Sequence, residues 1–192
     1  MVKIERTYPE PKGLAEERNK ENPGVRPNRI EGVLKALQVD FKNKCYICEQ
    51  SAPTKVEVDH FSPHKNNRDL MFTWENLFLA CGHCNNTKSN NYNTNDDNEI
   101  LNCTNPQHDV VNWIRYECNS QDYKITVTLT TFTEDNAYKK SVDNTVKLLT
   151  EVYTGGKSPT PTHEVESFNL RTLLKDQIFA FEMILKQYER SV

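Results

Sequence analysis

The sequence predicts an α+β fold in which a small cysteine-pinned finger is flanked by helices and a β-hairpin. Three observations carry this. Two C-x₂-C pairs, Cys45/Cys48 and Cys81/Cys84, bracket a compact segment. Between them "KVEVDHF" alternates Val56 and Val58 with Lys55, Glu57 and Asp59, the period and β-branching of a short strand. On either side, apolar residues recur at helical spacing.

Residues 1–28 hold Pro9, Pro11, Pro23 and Pro27 with Gly13 and Gly24, the punctuation of an extended, loosely ordered arm. Ile30, Val33, Leu34, Leu37 and Phe41 then mark a helix with Asn28 as its N-cap. The first strand ends at Asp59–His60. "SPHKNNRDL" is a loop by its Pro, Asn and charge, and "WENLFLAC" returns through a tight turn as a second strand. After Cys84, "NNTKSNN" is a short helix fraying into the Asn/Asp-rich run 90–105, a solvated connection.

"VVNWIRYEC" and "DYKITVTLTTF" form a hairpin across "NSQD", with Tyr123, Ile125, Val127 and Leu129 on one face. Val142, Val146, Leu149 and Tyr153 mark a helix closed by Gly155–Gly156. A long helix begins near Thr162; its stripe of Leu170, Leu174, Ile178, Phe181, Leu185 and Tyr188 is expected to pack on the hairpin and to need no partner. The expected division is an arm at 1–28, helix plus finger at 29–95, and a hairpin and helical lobe at 96–192.

A chain of 192 residues, 36% hydrophobic and 27% charged, has the composition of a globular protein with one sizeable core. No apolar run approaches the roughly 20 residues that span a bilayer, and "MVKIERTYPEP" lacks a signal-peptide core. A cytoplasmic location without membrane contact is expected. In that compartment six cysteines point to metal or free thiols, with Cys103 and Cys118 packing as small apolar groups. The net charge is −3, and residues 1–44 hold ten basic against seven acidic side chains. That bias is too small to define a nucleic-acid surface.

Cys45, Cys48, Cys81 and Cys84 can supply four thiolates to one tetrahedral Zn²⁺. Such a site is closed, so the ion folds the segment and does no chemistry. His83, between the second pair, is expected to face solvent or phosphate and not to be a ligand. Within this frame stand Asp59–His60, Pro63, Asn76–Leu77, Asn85 and Lys88, in that order. Residues 45–89 thereby resemble an HNH endonuclease, in the HNN variant because Asn85 stands where the second His would.

The resemblance implies a ββα-metal finger, two strands and a helix around one catalytic ion. It implies His60 as general base, Asp59 and Asn85 as ligands, and Asn76 as the residue that braces the loop and orients His60. Elementary chemistry agrees. Phosphodiester hydrolysis needs an activated water and a cation to stabilise developing charge. A His of ordinary pKa accepts a proton at neutral pH. Carboxylate and amide oxygens suit Mg²⁺ or Mn²⁺, whereas a second His would favour softer metals. Glu57 reads as a solvated strand carboxylate. His64, Lys65 and Arg68 form a basic loop beside the site and, with Lys88, are candidates for phosphate contact.

More softly, "MVKIERTYPEPKGL" and "TVKLLTEVYTGG…NLRTLL" resemble the PtuB-type nuclease components of Septu anti-phage systems, which act with a PtuA-like ATPase. That likeness implies a bacterial defence nuclease with DNA as target and an ATPase as partner, docked through the terminal arms. The competing class is a zinc-knuckle adaptor without catalysis, favoured by the missing second His and disfavoured by the retained Asp59–His60. A nuclease with its own sequence reader would need a helix-turn-helix or a strongly basic helix, and neither is present.

Overall fold

The computed structural model describes residues 1–21, 24–89, 92, 99–118, 125–129, 137–156 and 159–191. The finger is built from strand β1 (Val56–His60), strand β2 (Leu77–Cys81) and helix α4 (Gly82–Lys88). The strands pair antiparallel, with Val56 opposite Cys81 and His60 opposite Leu77. All five β2 residues are buried, which explains why "LFLAC" reads as a continuous apolar run and not as an alternation.

Around Phe78 pack Phe41, Tyr46 and Phe61, with ring centroids 4.9 to 5.5 Å from it. Phe41 follows helix α2 (Val33–Asp40), whose buried Val33 and Leu37 continue this core. That helix begins five residues after the expected cap. Asn28 lies in a separate 3-10 turn at Pro27–Arg29, and Gly32, at φ +82°, breaks the run. Only a residue without a Cβ takes that left-handed conformation cheaply.

The arm at 1–28 departs from expectation. It contains helix α1 (Lys12–Asn19), and Met1, Ile4 and Leu14 are buried in the common core. Arg6 holds it there. Its guanidinium lies 4.1 Å from the Trp74 ring, pairs with Asp40 at 3.1 Å, and donates to the carbonyls of Leu77 and Trp74 at 2.7 and 2.9 Å. One cation with this many partners anchors a segment that has few apolar residues of its own. The loop at 62–70 likewise runs into a short helix, α3 (Arg68–Phe72), capped by the Asn67 side chain on Leu70 N–H at 3.1 Å.

In the second half, strands β3 (Ile114–Cys118) and β4 (Ile125–Leu129) pair antiparallel, Ile114 opposite Leu129. The turn at 119–122 and Tyr123 lie outside the described residues, as do the side chains of Ile125, Val127 and Leu129. So does most of the run 90–98. Helix α5 (Lys139–Thr154) buries Val142, Leu149 and Tyr153 and ends at Gly155, φ +82°, as its Gly-Gly pair predicts. Cys103 is buried, and burial raises its thiol to about 12, an inert group.

Helix α6 (Pro161–Glu189), capped by Thr160, packs along α5 and not mainly on the hairpin. Of its expected stripe only Leu170 is buried, with Leu174 partly so; Phe181 and Tyr188 are 60% and 66% exposed. The helix outruns the body it packs on. None of the described helices is long and apolar enough to cross a membrane.

His108 is buried in this half. Its Nδ1 accepts from Asn102 N–H at 2.8 Å, and burial lowers its pKa below the ordinary 6.5. Protons therefore favour the unfolded chain: the contribution of His108 is full above pH 6.5 and is lost as pH falls below it. His108→Gln is expected to cost about 1–3 kcal/mol at pH 7.5, with the gap to wild type in urea unfolding narrowing toward pH 5. A gap that stays constant would remove His108 as a source of acid sensitivity.

Candidate metal centre and nuclease site

The four sulfurs of Cys45, Cys48, Cys81 and Cys84 lie within 4.8 Å of one another and all are buried. A tetrahedral ion about 2.3 Å from each sulfur sets sulfur–sulfur edges of about 3.8 Å; Cys48 and Cys81 stand 3.9 Å apart. The first knuckle turns through Glu49, at φ +60°, whose N–H bonds the Cys45 carbonyl at 2.8 Å. Tyr46 N–H on the Leu79 carbonyl, at 2.9 Å, ties that knuckle to β2. The donor set and spacing fit zinc.

A groove of about 600 Å³ opens beside the end of β1, lined by Asp59, His60, His64, Lys65 and Asn85. A second cavity shares His60, His64 and Asn85 and reaches Glu57, Arg26 and Asn28. His60 Nε2 is 3.0 Å from the Met71 carbonyl. A carbonyl only accepts, so Nε2 carries the proton and Nδ1 keeps the lone pair. Burial lowers the pKa of His60; the Met71 carbonyl opposes this and His64, 4.6 Å away ring to ring, adds to it. The ring is therefore a neutral proton acceptor at pH 7.

Asn76 sits behind this ring, buried in the turn before β2. Its amide donates to the Ser62 and Leu70 carbonyls at 2.9 and 2.8 Å, and its oxygen accepts from Ser62 N–H at 2.7 Å. These bonds clamp both ends of the loop whose last helix supplies the Met71 carbonyl.

Asn85, on α4, donates its amide to Glu57 Oε2 at 2.5 Å. A carboxylate only accepts, which orients the amide and leaves Oδ1 without a protein donor among the described residues. A free carbonyl oxygen at the groove fits a hard cation. Glu57, paired also with Lys55 at 2.6 Å, is thus a positioning residue and not a solvated one. Its i, i−2 relation to Asp59 on one strand was the only sign of it in the sequence.

Asp59 lines the groove but is nearly enclosed. Its Oδ2 accepts from Tyr46 Oη at 2.7 Å, and Lys88 Nζ lies 3.0 and 3.1 Å from its two oxygens. Lys88 is 1% exposed and also donates to the His60 carbonyl at 2.8 Å. It is a buried structural cation, and the expected phosphate contact is corrected on that ground. Arg68 is likewise turned away, toward the Glu17 and Glu21 carbonyls at 3.4 and 3.3 Å. Only His64 and Lys65 of that candidate set line the groove; Arg26, from the arm, lines the second cavity.

His83 is not solvent-facing. It is 9% exposed, with Nε2 2.8 Å from the Val152 carbonyl and Nδ1 3.1 Å from Glu166 Oε2. It joins the second knuckle to the last turn of α5, a contact across 69 residues that spacing does not reveal.

With both knuckles, two antiparallel strands and the helix in place, the class is an α+β finger of ββα-metal type. Residues 45–91 match the family model described as HNH endonuclease. The match covers the finger and not the flanking segments. Neither the curated proteins nor the solved structures gave a match.

Proposed function

We propose that the chain is a metal-dependent endonuclease that hydrolyses DNA phosphodiester bonds in the groove holding His60 and Asn85. The observation that carries this is His60. It is kept neutral by burial, with its proton fixed on Nε2 by Met71 and its basic Nδ1 left for a water. Met71 holds the ring, and Asn76 holds the loop that carries Met71. Asn85 Oδ1 and the remaining lone pairs of Asp59 would hold Mg²⁺ or Mn²⁺, which supplies charge stabilisation at the phosphate and leaving oxygen. His64 and Lys65 line that groove and Arg26 the adjoining cavity, and these residues would contact phosphate.

The test is nicking of supercoiled plasmid by zinc-loaded wild type and His60→Ala, with Mg²⁺, Mn²⁺ or EDTA. The expected result is ion-dependent nicking that falls roughly 10²–10⁴-fold in His60→Ala. A second reading rests on the enclosure of Asp59 by Tyr46 and Lys88, which suits an inactive adaptor. Equal inertness of both proteins, with DNA binding retained, would favour it.

We place the nuclease, on the resemblance of its outer segments, in a bacterial anti-phage complex with a PtuA-like ATPase. The exposed end of α6 supports a partner. Phe179, Phe181, Ile184 and Tyr188 are each at least 60% exposed, more apolar surface than a lone helix end ordinarily leaves to water.

A further inference from the structure

Away from the groove, His83 of the second knuckle, His163 and Glu166 bring three ligand atoms within 4.8 Å of one another. They come from two elements, α4 and the first turns of α6. The hydrogen bonds of His83 make the cluster more than a coincidence of polar groups. Its Nε2 faces the Val152 carbonyl, which can only accept, so Nε2 carries a proton. Nδ1, the other ring nitrogen, faces a carboxylate oxygen of Glu166 at 3.1 Å, close enough for one ion to meet both atoms.

The spacing suits a metal. Ligand atoms about 2.0–2.1 Å from a tetrahedral Zn²⁺ stand about 3.3 Å apart. His163 and Glu166 are at i, i+3, so one helix face presents both, and the rings of His83 and His163 meet at 85° with centroids 5.6 Å apart. An imidazole that donates its other N–H to a backbone carbonyl is the usual arrangement of a metal-bound His. Lys55, which lines the adjacent cavity, is already paired with Glu57 at 2.6 Å. Beside the cluster lies a cavity of about 400 Å³, lined also by Asn86 and Asn169, with room for a water as fourth ligand.

We propose that His83, His163 and Glu166 form a second metal site, for Zn²⁺ or a similar borderline divalent ion, that clips the C-terminal helix to the zinc knuckle. Unlike the cysteine site it has three protein ligands and an open position, so it binds more weakly and exchanges more readily. It also sits between α4, α5 and α6, at the carbonyl that Ser167 Oγ bonds too, at 2.9 Å. Occupancy of the clip therefore bears on how firmly α6 is held.

The experiment titrates Co²⁺ into full-length protein whose cysteine site is already filled with zinc, comparing wild type, His163→Ala and Glu166→Gln. His163 and Glu166 are only half-buried, so both variants keep the fold, which one retained zinc per chain confirms. Wild type is expected to take up one Co²⁺ equivalent more than either variant. That equivalent shows visible d–d bands without the near-ultraviolet thiolate charge-transfer band. Each variant weakens it by at least about tenfold, the lower limit for even an outer-shell change. Uptake that is absent from wild type, or equal in all three proteins, would overturn the site. His83 and Glu166 would then be hydrogen-bond partners only.

Discussion

Cys84→Ser is expected to abolish the folded finger. Cys84 is wholly buried, and the four sulfurs enclose a space that only a cation can fill without leaving thiols crowded against one another. Zinc binding to such a set contributes about 10–16 kcal/mol in small zinc domains at neutral pH. That is comparable to the whole stability of an ordinary domain, about 5–15 kcal/mol. The knuckles also carry more than themselves. Cys81 closes the β1–β2 register opposite Val56, Tyr153 Oη reaches the Cys48 carbonyl at 3.3 Å, and His83 reaches α5. Loss of one thiolate should therefore lower the zinc content by one per chain, collapse near-ultraviolet dichroism and expose both halves to protease. A Cys84→Ser protein within about 1 kcal/mol of wild type in urea would show that the knuckles do not hold the fold together.

Lys88→Met is expected to destabilise the protein by about 3–5 kcal/mol, because it leaves Asp59 as a buried charge without its partner. The side chains of the pair are 1% and 8% exposed, and Tyr46 cannot replace the ammonium, since burial and Asp59 together raise its hydroxyl well above its ordinary pKa. Lys88→Met combined with Asp59→Leu should cost less than the two single changes added together, the mark of direct coupling. An exposed phosphate contact behaves oppositely: its loss leaves stability within about 0.5 kcal/mol and weakens DNA binding. Urea unfolding of the zinc-loaded proteins separates the two, and a stability change near zero would return Lys88 to the surface.

Where local spacing carried the information, the sequence was sufficient. The C-x₂-C pairs, the strand ending at Asp59–His60, the Gly155 stop and the start of α6, expected near Thr162 and found at Pro161, each follow from residues a few positions apart. Helix α1 was hidden because Leu14 is its one buried apolar residue; the helix is held by what lies across from it. The same holds for Arg6, whose partners are 34 to 71 residues away. At the site, the sequence supplied His60, Asn76 and Asn85 as candidates. The pairing of Glu57 with Asn85 and the tautomer of His60 came only from the folded arrangement.

The sequence by itself determined that a finger with four cysteines able to hold a metal forms and which residues its groove can offer. Thiolate pairs and strand periodicity are properties of neighbouring residues. The tertiary structure decided which charges are spent inside. It buried Lys88 against Asp59, turned Arg68 onto α1, drew His83 away from solvent and left the far end of α6 bare. Burial is set by which elements dock on one another, and a charged side chain carries the same letter whether it meets water or a partner.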